Sequence, residues 1–429
     1  MALHETALRE DSMTDQRKGL EITRRRLIGS GAGGLVLAAS PFSINKLRAQ
    51  EGPIKIGFPV PLSGPYSTEA NDQVRCAQLA IDFFNEAGGL KGRKAELVVR
   101  DDKLDPGEAS TRTLELIENE KVNFICGSLS ASVQLSVNQV ATKRGVIYNS
   151  ISQSDTINEA SDFTKYTFHE ALNPHMTSGA VGRYAFGKFG KKVAYLIADY
   201  AYGHEMLRGF RRIAKEMGIE EVAEIRHPLG TTDFSTFFPR IQAARPDMLV
   251  VVNFGRDQLN TVKQATDFGV KRQMKIVYPV LLDTQRIAGG PGPFEGVVGG
   301  ANYYWGLEDK QPSAKRFNDA YRKKHGDAVP SSYGSLGFAG VTGLLEGVTK
   351  AGSVDADAVI AAMEQIKYDV GKGEQYFRKC DHQAVQPVLV IESKAQAQMK
   401  GKWDIFDVIS TQGGDEKVLR TCEELGHKA

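Results

Sequence analysis

Residues 54–67 read IKIGFPVPLSGPYS, an almost wholly apolar run followed by a turn rich in proline, glycine and hydroxyl groups. A continuous apolar run bounded by a turn is typical of a β-strand covered on both faces, as the strands of parallel sheets are. The helical periodicity of Gln73–Glu86 begins shortly after this turn. The segment therefore predicts a buried strand, a loop and an α-helix in direct succession.

The same unit recurs along much of the chain. Further strand candidates are Glu96–Arg100, Val122–Cys126, Val146–Asn149, Val193–Ala198, Val222–Ile225, Met248–Asn253 and Lys275–Tyr278. The stretches of helical period between them are Gly107–Glu120, Ser132–Lys143, Pro174–Phe189, Gly203–Met217 and Gln258–Phe268. Strands that alternate with helices of this length predict βαβ units and parallel sheets.

About eight such units are more than one compact domain usually needs, which leaves a closed barrel or two open sheets. The rhythm changes after Tyr304, where Pro312–His325 and Tyr333–Lys350 follow each other as two long helical stretches. A shorter helical stretch, Asp355–Ile366, and a late β-type run, Pro387–Glu392, come next. Because this breaks the repeat of a barrel, we predict an α/β protein of two lobes, each a doubly wound parallel sheet.

Residues 24–40 read RRRLIGSGAGGLVLAAS and allow two interpretations. The glycines resemble the turn that holds a dinucleotide pyrophosphate, but that turn must follow a buried strand. Three consecutive arginines do not fit such a strand, and Glu51, at the place of the expected acidic residue, is not at a strand end. A basic segment followed by the apolar Leu27–Ala39 is instead typical of an export signal.

The export signal also indicates a route. Thr23–Ile28 reads TRRRLI and resembles the twin-arginine export pattern. We therefore predict that residues 1–50 form an export signal, which the twin-arginine (Tat) export machinery carries to the periplasm. A cut after Ala49 and an earlier one near Ser40 both stay open, as does a start at Met13.

Charge and cysteine content exclude other classes of protein. The chain carries 54 Lys and Arg against 52 Asp and Glu, a formal charge of +2, and the basic excess lies in the first 50 residues. A balanced body without a basic stripe argues against nucleic acid as a partner. Four cysteines in 429 residues are no disulfide framework, but they allow one or two bridges in an oxidising compartment. No apolar run reaches the roughly 18–20 residues of a membrane span.

Hydroxyl groups, small residues and tyrosines concentrate directly after predicted strands. The segments concerned are 61–67, 127–132, 150–155 and 199–203. In open parallel sheets, ligands bind beyond the carboxyl ends of the strands, where helix N-termini attract carboxylates. We therefore predict a site there for a small anionic or zwitterionic ligand. For each single serine, the alternative is a helix N-cap.

Patterns for catalysis are poor. The sequence contains no G-x-S-x-G, and His175 follows His169 by six positions, which does not place two imidazoles on one helix face. Asp101, Asp102 and Asp105 are predicted to end a strand and begin a helix rather than to bind a cation. We therefore predict no catalytic residues, no cofactor and no metal site.

The cysteines leave alternatives open. Cys380-Asp381-His382 together with Cys422 is compatible with a metal site, but in an exported protein we favour a Cys380–Cys422 disulfide. Cys76 is predicted on a helix and Cys126 at a strand end, both as buried small hydrophobic residues.

From about residue 54 to 409 the chain resembles the leucine/isoleucine/valine-binding protein family, the type I periplasmic solute-binding proteins of ABC importers. The segments that carry the resemblance are IKIGFPVPLSGPYS (54–67), AIDFFNEAGGLKGRKAELVVRDDKLDPGEAS (80–110), VNFICGSLSASVQ (122–134), GVIYNSISQSD (145–155), ADYAYGHEML (198–207), FNDAYRKKHG (317–326) and SSYGSLGFAGVTGLLEGV (331–348). The resemblance implies two α/β lobes joined by a hinge of three crossover strands. By this pattern lobe 1 covers 53–172 plus 302–386, lobe 2 covers 173–301 plus 387–410, and 411–429 is a C-terminal tail.

The resemblance also implies where a ligand binds. The hydroxyl and amide positions for a carboxylate fall at Ser130, Ala131, Ser152 and Ser154, the lobe 2 tyrosine at Tyr202, and a second aromatic position at Phe254, for which Gly255 is an equally good match. The bulky residue expected after the first turn falls at Glu69, so Tyr66 is expected to take its role. Ser63 and Gln153, from the same loops, complete this set of candidates.

One position departs from the family pattern. The acidic residue that would bind the α-ammonium of an amino acid should lie in 278–282, which reads YPVLL. Asp257 and Asp283 are the available substitutes. The departure leaves an amide, a urea-like compound, or an aliphatic or aromatic carboxylate as ligands besides a branched-chain amino acid.

Together these features predict a monomeric periplasmic binding protein that delivers a small molecule to an inner-membrane ABC permease. The alternative is a ligand sensor whose closed form is presented to a membrane receptor. A third class, an exported hydrolase, would need a serine of 150–154 with a histidine close by.

Overall fold

The computed structural model describes residues 52–428 of the chain. The predicted export signal, residues 1–50, lies outside the described residues. Strand β1 (Ile54–Val60) is the segment quoted first above, and the side chains of Ile54, Ile56 and Phe58 are fully buried. Burial on both faces explains why this strand is a continuous apolar run.

The first sheet contains five parallel strands in the order β2-β1-β3-β4-β5. After β1 the elements are α1 (Ser67–Glu86), β2 (Ala95–Asp101), α2 (Pro106–Glu118), β3 (Phe124–Gly127), α3 (Ala131–Lys143), β4 (Ile147–Ser150) and β5 (Thr167–His169). Helix α2 has Asp105 as its N-cap, whose side chain accepts a hydrogen bond from the backbone N–H of Glu108. The aspartates after β2 therefore lie at a strand end and a helix start.

The next part of the chain builds a second sheet. Its elements are α4 (Pro174–Phe189), β6 (Lys192–Ala198), α5 (Ala201–Met217), β7 (Glu220–His227), α6 (Phe238–Ala243), β8 (Met248–Val252), α7 (Arg256–Asp267), β9 (Lys275–Tyr278), α8 (Asp283–Gly289), α9 (Pro291–Phe294) and β10 (Val298–Ala301). Strands β6 to β10 pair in parallel.

The last part of the chain returns to both sheets. Its elements are α10 (Pro312–His325), α11 (Gly334–Ala351), α12 (Ala356–Met363), β11 (Tyr368–Asp369), β12 (Glu374–Phe377), β13 (Ala384–Val385), β14 (Pro387–Ser393) and β15 (Phe406–Gly413). Helix α11 packs against α1 beside the first sheet. Strands β11, β12 and β13 form a small antiparallel sheet of their own.

The second sheet has seven strands in the order β15-β14-β10-β9-β8-β6-β7. It is mixed rather than wholly parallel, because β14 runs antiparallel to both β10 and β15. Strand β15 also continues to Gly413, past residue 410, where the family pattern places the end of lobe 2. This edge strand is largely exposed, so its sequence lacks the continuous apolar run that marks the other strands.

The chain passes between the two sheets three times: after β5, after β10, and between β13 and β14. Just before the second passage, β10 lies very close to the segment that follows β9. A Cβ on Gly300 would lie 2.4 Å from the carbonyl oxygen of Pro279, and one on Gly299 would lie 2.5 Å from the Cβ of Leu281. The two separate open sheets confirm two α/β lobes rather than a barrel.

Candidate functional site

The ends of the parallel strands meet in a small pocket between the lobes. Its lining consists of Tyr66, Leu129, Ala131, Ser152 and Gln153 from the first lobe, Tyr200, Tyr202 and Phe254 from the second, and Tyr333, which directly precedes α11. We call this the interlobe pocket. The centre of a water-sized sphere can move through only about 10 Å³ of it. A ligand of several atoms therefore requires the lobes or the side chains to move apart.

The first lobe contributes polar groups to this pocket. Helix α3 begins at Ala131, and its N-cap, Ser130, makes no side-chain capping hydrogen bond. The first-turn N–H groups of a helix have no helical acceptor and attract an anion. The Ser152 hydroxyl donates to the carbonyl of Leu129 at 2.8 Å. The Gln153 side-chain oxygen accepts a hydrogen bond from Thr177, while its buried Nε2 has no partner within the described chain.

Aromatic rings form the other walls. The ring of Phe254 lies between those of Tyr66 and Tyr333, with centroids 4.8 and 4.5 Å away and edge-to-face orientations. The hydroxyl oxygens of Tyr66 and Tyr200 are 2.9 Å apart. The hydroxyl of Tyr202 is buried and has no partner in the part of the chain that the structure describes.

Burial keeps these phenols uncharged. It is the largest effect on the pKa values of Tyr66, Tyr200 and Tyr202 and raises each well above the ordinary value. A neutral phenol both donates and accepts hydrogen bonds. The nine lining residues therefore present hydroxyl, amide and aromatic groups and no formal charge.

Glycine at position 255 allows the second lobe to approach the first. Gly255 has a φ of +57°, and a Cβ there would lie 2.6 Å from the carbonyl oxygen of Pro65. Its neighbour Arg256 donates a backbone hydrogen bond to the same carbonyl at 3.1 Å. Of the two residues that matched the second aromatic position, Phe254 lines the pocket, and Gly255 makes room for the turn before Tyr66.

The structure brings six of the eleven predicted ligand-binding residues together in this pocket: Tyr66, Ala131, Ser152, Gln153, Tyr202 and Phe254. Ser130 is buried next to the pocket as the N-cap of α3. Ser63 is exposed and donates to Asp101 at 2.9 Å. Ser154 donates to Glu205 at 3.2 Å. The hydroxyls of Ser63 and Ser154 therefore bond carboxylates outside the pocket. A position in a strand-end loop is not enough to predict that a serine lines the pocket.

The two candidate acids also lie outside the pocket lining. Asp257 accepts a hydrogen bond from the backbone N–H of Gly230 at 2.9 Å, and burial raises its pKa to about 6. Asp283 accepts from the backbone N–H of Ser332 at 2.8 Å. Burial raises the pKa of Asp283 to about 7, and it lines a separate cavity of about 240 Å³. Neither residue is part of the lining of the interlobe pocket.

Three lining residues were not among the predicted ones. Tyr200 lies in the segment 199–203, which the sequence already marked, beside the predicted Tyr202. Leu129 carries no polar group that would have singled it out. Tyr333 comes from the loop before α11, far along the chain, so only the packing of α11 on the first lobe places it here.

The cysteine cluster is a disulfide. The Sγ atoms of Cys380 and Cys422 are 2.11 Å apart, and their Cα atoms 6.2 Å. His382, next to this bridge, has its Nδ1 within hydrogen-bond distance of the carbonyl oxygen of Thr167, at 2.8 Å. Cys76 and Cys126 are free and buried. Across residues 52–428 no group of three His, Cys, Asp or Glu side chains is arranged to hold a metal ion.

Helix lengths bear on membrane association as well. Among the helices of residues 52–428, none combines the length and the apolar character that crossing a membrane requires.

A second set of contacts joins the lobes beside the pocket. Glu69 of α1 is fully buried and accepts hydrogen bonds from the Thr284 hydroxyl and, at 2.7 Å, from the Gln285 amide. Burial raises the pKa of Glu69. The acid that stands where the family pattern has a bulky residue therefore links the two lobes.

Comparison with known proteins identifies the family. The family described as "Periplasmic binding protein" matches residues 53–398. The chain is 25% identical over 369 residues to Leu/Ile/Val-binding protein homolog 7 of Brucella abortus (strain 2308), covering 81% of this chain and 88% of that protein.

Two solved structures are also similar. An amino acid ABC transporter substrate-binding protein from Pseudomonas fluorescens Pf-5 is 25% identical with a TM-score of 0.80, covering 88% of this chain and 99% of that one. An ABC transporter solute-binding protein from Rhodopseudomonas palustris BisB5, in complex with 3,4-dihydroxybenzoic acid, is 25% identical with a TM-score of 0.76, covering 84% and 97%. The chain therefore belongs to the periplasmic binding protein family.

Proposed function

We propose that this protein is the substrate-binding component of an ABC importer, which captures a small amino-acid-like, carboxylate or amide ligand in the interlobe pocket. The observation that carries the proposal is the pocket itself. Residues of both lobes surround it, and two of its buried polar groups, Gln153 Nε2 and the Tyr202 hydroxyl, have no partner among the described residues. Buried polar groups are normally hydrogen-bonded, so these two mark where a ligand supplies the partner.

Contacts between the lobes support capture by closure. Several hydrogen bonds cross the boundary. The hydroxyls of Tyr66 and Tyr200 share one, the Gln285 amide donates to Glu69, and the backbone N–H of Arg256 donates to the carbonyl of Pro65. A ligand stabilises the closed arrangement only by its greater affinity for it. We propose the lobe boundaries 53–172 plus 302–386 and 173–301 plus 387–410 for the moving parts, the second lobe extended to residue 413 where β15 ends, with a monomer as the working unit.

Ligand binding is tested by thermal shift on the purified protein with amino acids, amides, ureas and aromatic acids. A ligand at 100 times its Kd stabilises the folded protein by about 2.7 kcal/mol. Tyr202→Ala and Ser152→Ala are expected to abolish the shift without unfolding the protein. Ser63→Ala is the matched control, since its hydroxyl faces Asp101 at the surface. If no compound shifts the melting temperature, the proposal is wrong.

Delivery to a permease needs a separate test. Relatives named as ABC transporter binding proteins support an inner-membrane permease as the partner. Deleting the gene is expected to abolish uptake of the ligand found above, and the wild-type gene, but not the Tyr202→Ala variant, is expected to restore it. Normal uptake without the protein would favour the sensor alternative.

A further inference from the structure

We infer that the interlobe pocket binds an aromatic monocarboxylate that carries no ammonium group. This inference rests on the proposed function and specifies the class of its ligand. The pocket has an end suited to an anion, walls suited to a ring, and no acidic residue in its lining to pair with a primary ammonium.

The anion end is formed by the first lobe and Tyr202. The N-terminus of α3 lies here at Ala131, uncapped by the Ser130 side chain. Gln153 is 2% exposed and Tyr202 4%, and both present a hydrogen-bond donor that no described residue satisfies. Free backbone N–H groups at a helix start, an amide N–H and a phenol O–H are all donors, and a carboxylate accepts from each of them.

The pocket offers no counter-charge to an ammonium group. None of its nine lining residues is acidic. The nearby acids stand outside this lining: Asp257 accepts from the backbone N–H of Gly230, and Oε1 of Glu69 accepts from Thr284 and Gln285. A buried ammonium without a paired carboxylate is strongly unfavourable, and the positive end of a helix adds repulsion.

The remaining walls fit a flat apolar body. Four tyrosines and Phe254 surround the space, and the ring of Phe254 already packs edge-to-face with two of them. Aromatic rings gain most from edge-to-face or offset contact with a further ring. These walls therefore favour a ring over a branched aliphatic chain of similar size.

Matched ligands test the inference by isothermal titration calorimetry. We expect 3-phenylpropionate to bind at least tenfold more tightly than L-phenylalanine, which differs by its ammonium group, and more tightly than 4-methylpentanoate. We expect no binding of 2-phenylethylamine or glycine betaine. Tighter binding of phenylalanine, leucine, the amine or the betaine would overturn the inference and leave the proposed function intact, and so would a preference for 4-methylpentanoate. If none of these compounds binds, and none of the amino acids, amides, ureas and aromatic acids of the thermal-shift screen binds either, the proposed function itself is refuted.

Charge variants test the orientation of the ligand. Gln153→Glu is expected to weaken 3-phenylpropionate binding at least tenfold, because it places a negative charge at the anion end. Asp257→Asn and Asp283→Asn are expected to leave that affinity unchanged, with melting curves to verify folding. If Gln153→Glu strengthens binding, or if either aspartate variant abolishes it, an ammonium or another cation is bound and the inference is wrong.

Discussion

The hydroxyl oxygens of Tyr66 and Tyr200 lie 2.9 Å apart and join the two lobes across the interlobe pocket. Tyr66 belongs to the turn after β1, and Tyr200 directly precedes α5. Both rings line the interlobe pocket, so under the proposed function the same two residues would contact the ligand and each other. Closure and binding are therefore expected to depend on this pair together.

Replacing Tyr200 by Phe removes this bond and leaves the ring. A hydrogen bond of this kind contributes about 1 kcal/mol, so ligand affinity is expected to fall roughly fivefold. Calorimetry measures the change. Tyr184→Phe is the matched control, because the Tyr184 hydroxyl accepts from Lys188 on an exposed part of α4, outside the pocket lining. Equal loss in both variants, or none in Tyr200→Phe, would contradict a role in closure.

Asp283 is expected to make stability depend on pH. Burial raises its pKa from 3.8 to about 7, so between those values the folded protein holds a proton that the unfolded chain releases. Stability from this group is therefore greatest at low pH and falls as the pH rises towards 7. Asp283→Asn resembles the protonated form and does not titrate. The unfolding free energy of the variant minus that of the unchanged protein is therefore expected to be about 2 to 4 kcal/mol larger at pH 8 than at pH 4. Urea unfolding at both pH values measures this, and a constant difference would contradict it.

A buried polar network lies where the chain passes between the sheets. Glu170, directly after β5, accepts hydrogen bonds from Tyr368 and Gln375, both at 2.5 Å, and Lys372 donates to Gln386 beside it. Burial raises the pKa of Glu170 and lowers that of Lys372, while each charge favours the other. Glu170 is fully buried and Lys372 half-buried, so removing the Lys372 charge leaves the Glu170 carboxylate buried without a counter-charge.

Lys372→Met is therefore expected to destabilise the protein by about 2 kcal/mol at neutral pH. Adding Glu170→Gln is expected to recover most of that loss, because the amide keeps the shape and removes the uncompensated charge. Chemical unfolding of the two single variants and the double variant measures the coupling. Additive effects in the double variant would show that the two charges do not interact.

The Cys380–Cys422 bridge closes a loop with a sequence separation of 42. Near the bridge, Arg420 donates to Glu159 at 2.6 Å just before Cys422, and His427 lies 2.8 Å from the carbonyl oxygen of Asn158 just after it. Replacing both cysteines by serine is expected to cost about 2 to 4 kcal/mol of unfolding free energy. Ligand affinity is expected to stay the same, because these residues are not in the pocket lining. A large loss of affinity would show that the bridge supports the site.

The export route is tested at the arginines. Arg24→Lys together with Arg25→Lys is expected to hold the protein in the cytoplasm if the twin-arginine pathway carries it. Fractionation of cells measures the periplasmic share. Arg17→Lys with Lys18→Arg, outside the pattern and downstream of both Met1 and Met13, is the matched control. Normal export of the first variant would indicate another route.

The segment 54–67 and its repeats predicted the α/β lobes because strands buried on both faces must be continuously apolar. The segments after those strands contain Tyr66, Ser152, Gln153 and Tyr202, because parallel strands place their carboxyl ends at one edge. The antiparallel edge strand β15 could not be found in this way, since its exposed side chains carry no such pattern.

The sequence by itself determined the lobes and the loops that meet between them, because burial patterns and strand-end chemistry are local properties of the chain. Only the tertiary structure decided which side chains face the pocket. The Ser154 side chain donates to Glu205 and that of Asp257 accepts from Gly230, whereas Tyr333 lines the pocket from the loop before α11, far along the chain. The physical reason is that a polar side chain takes the partner that packing brings within about 3 Å, and that partner is remote in sequence.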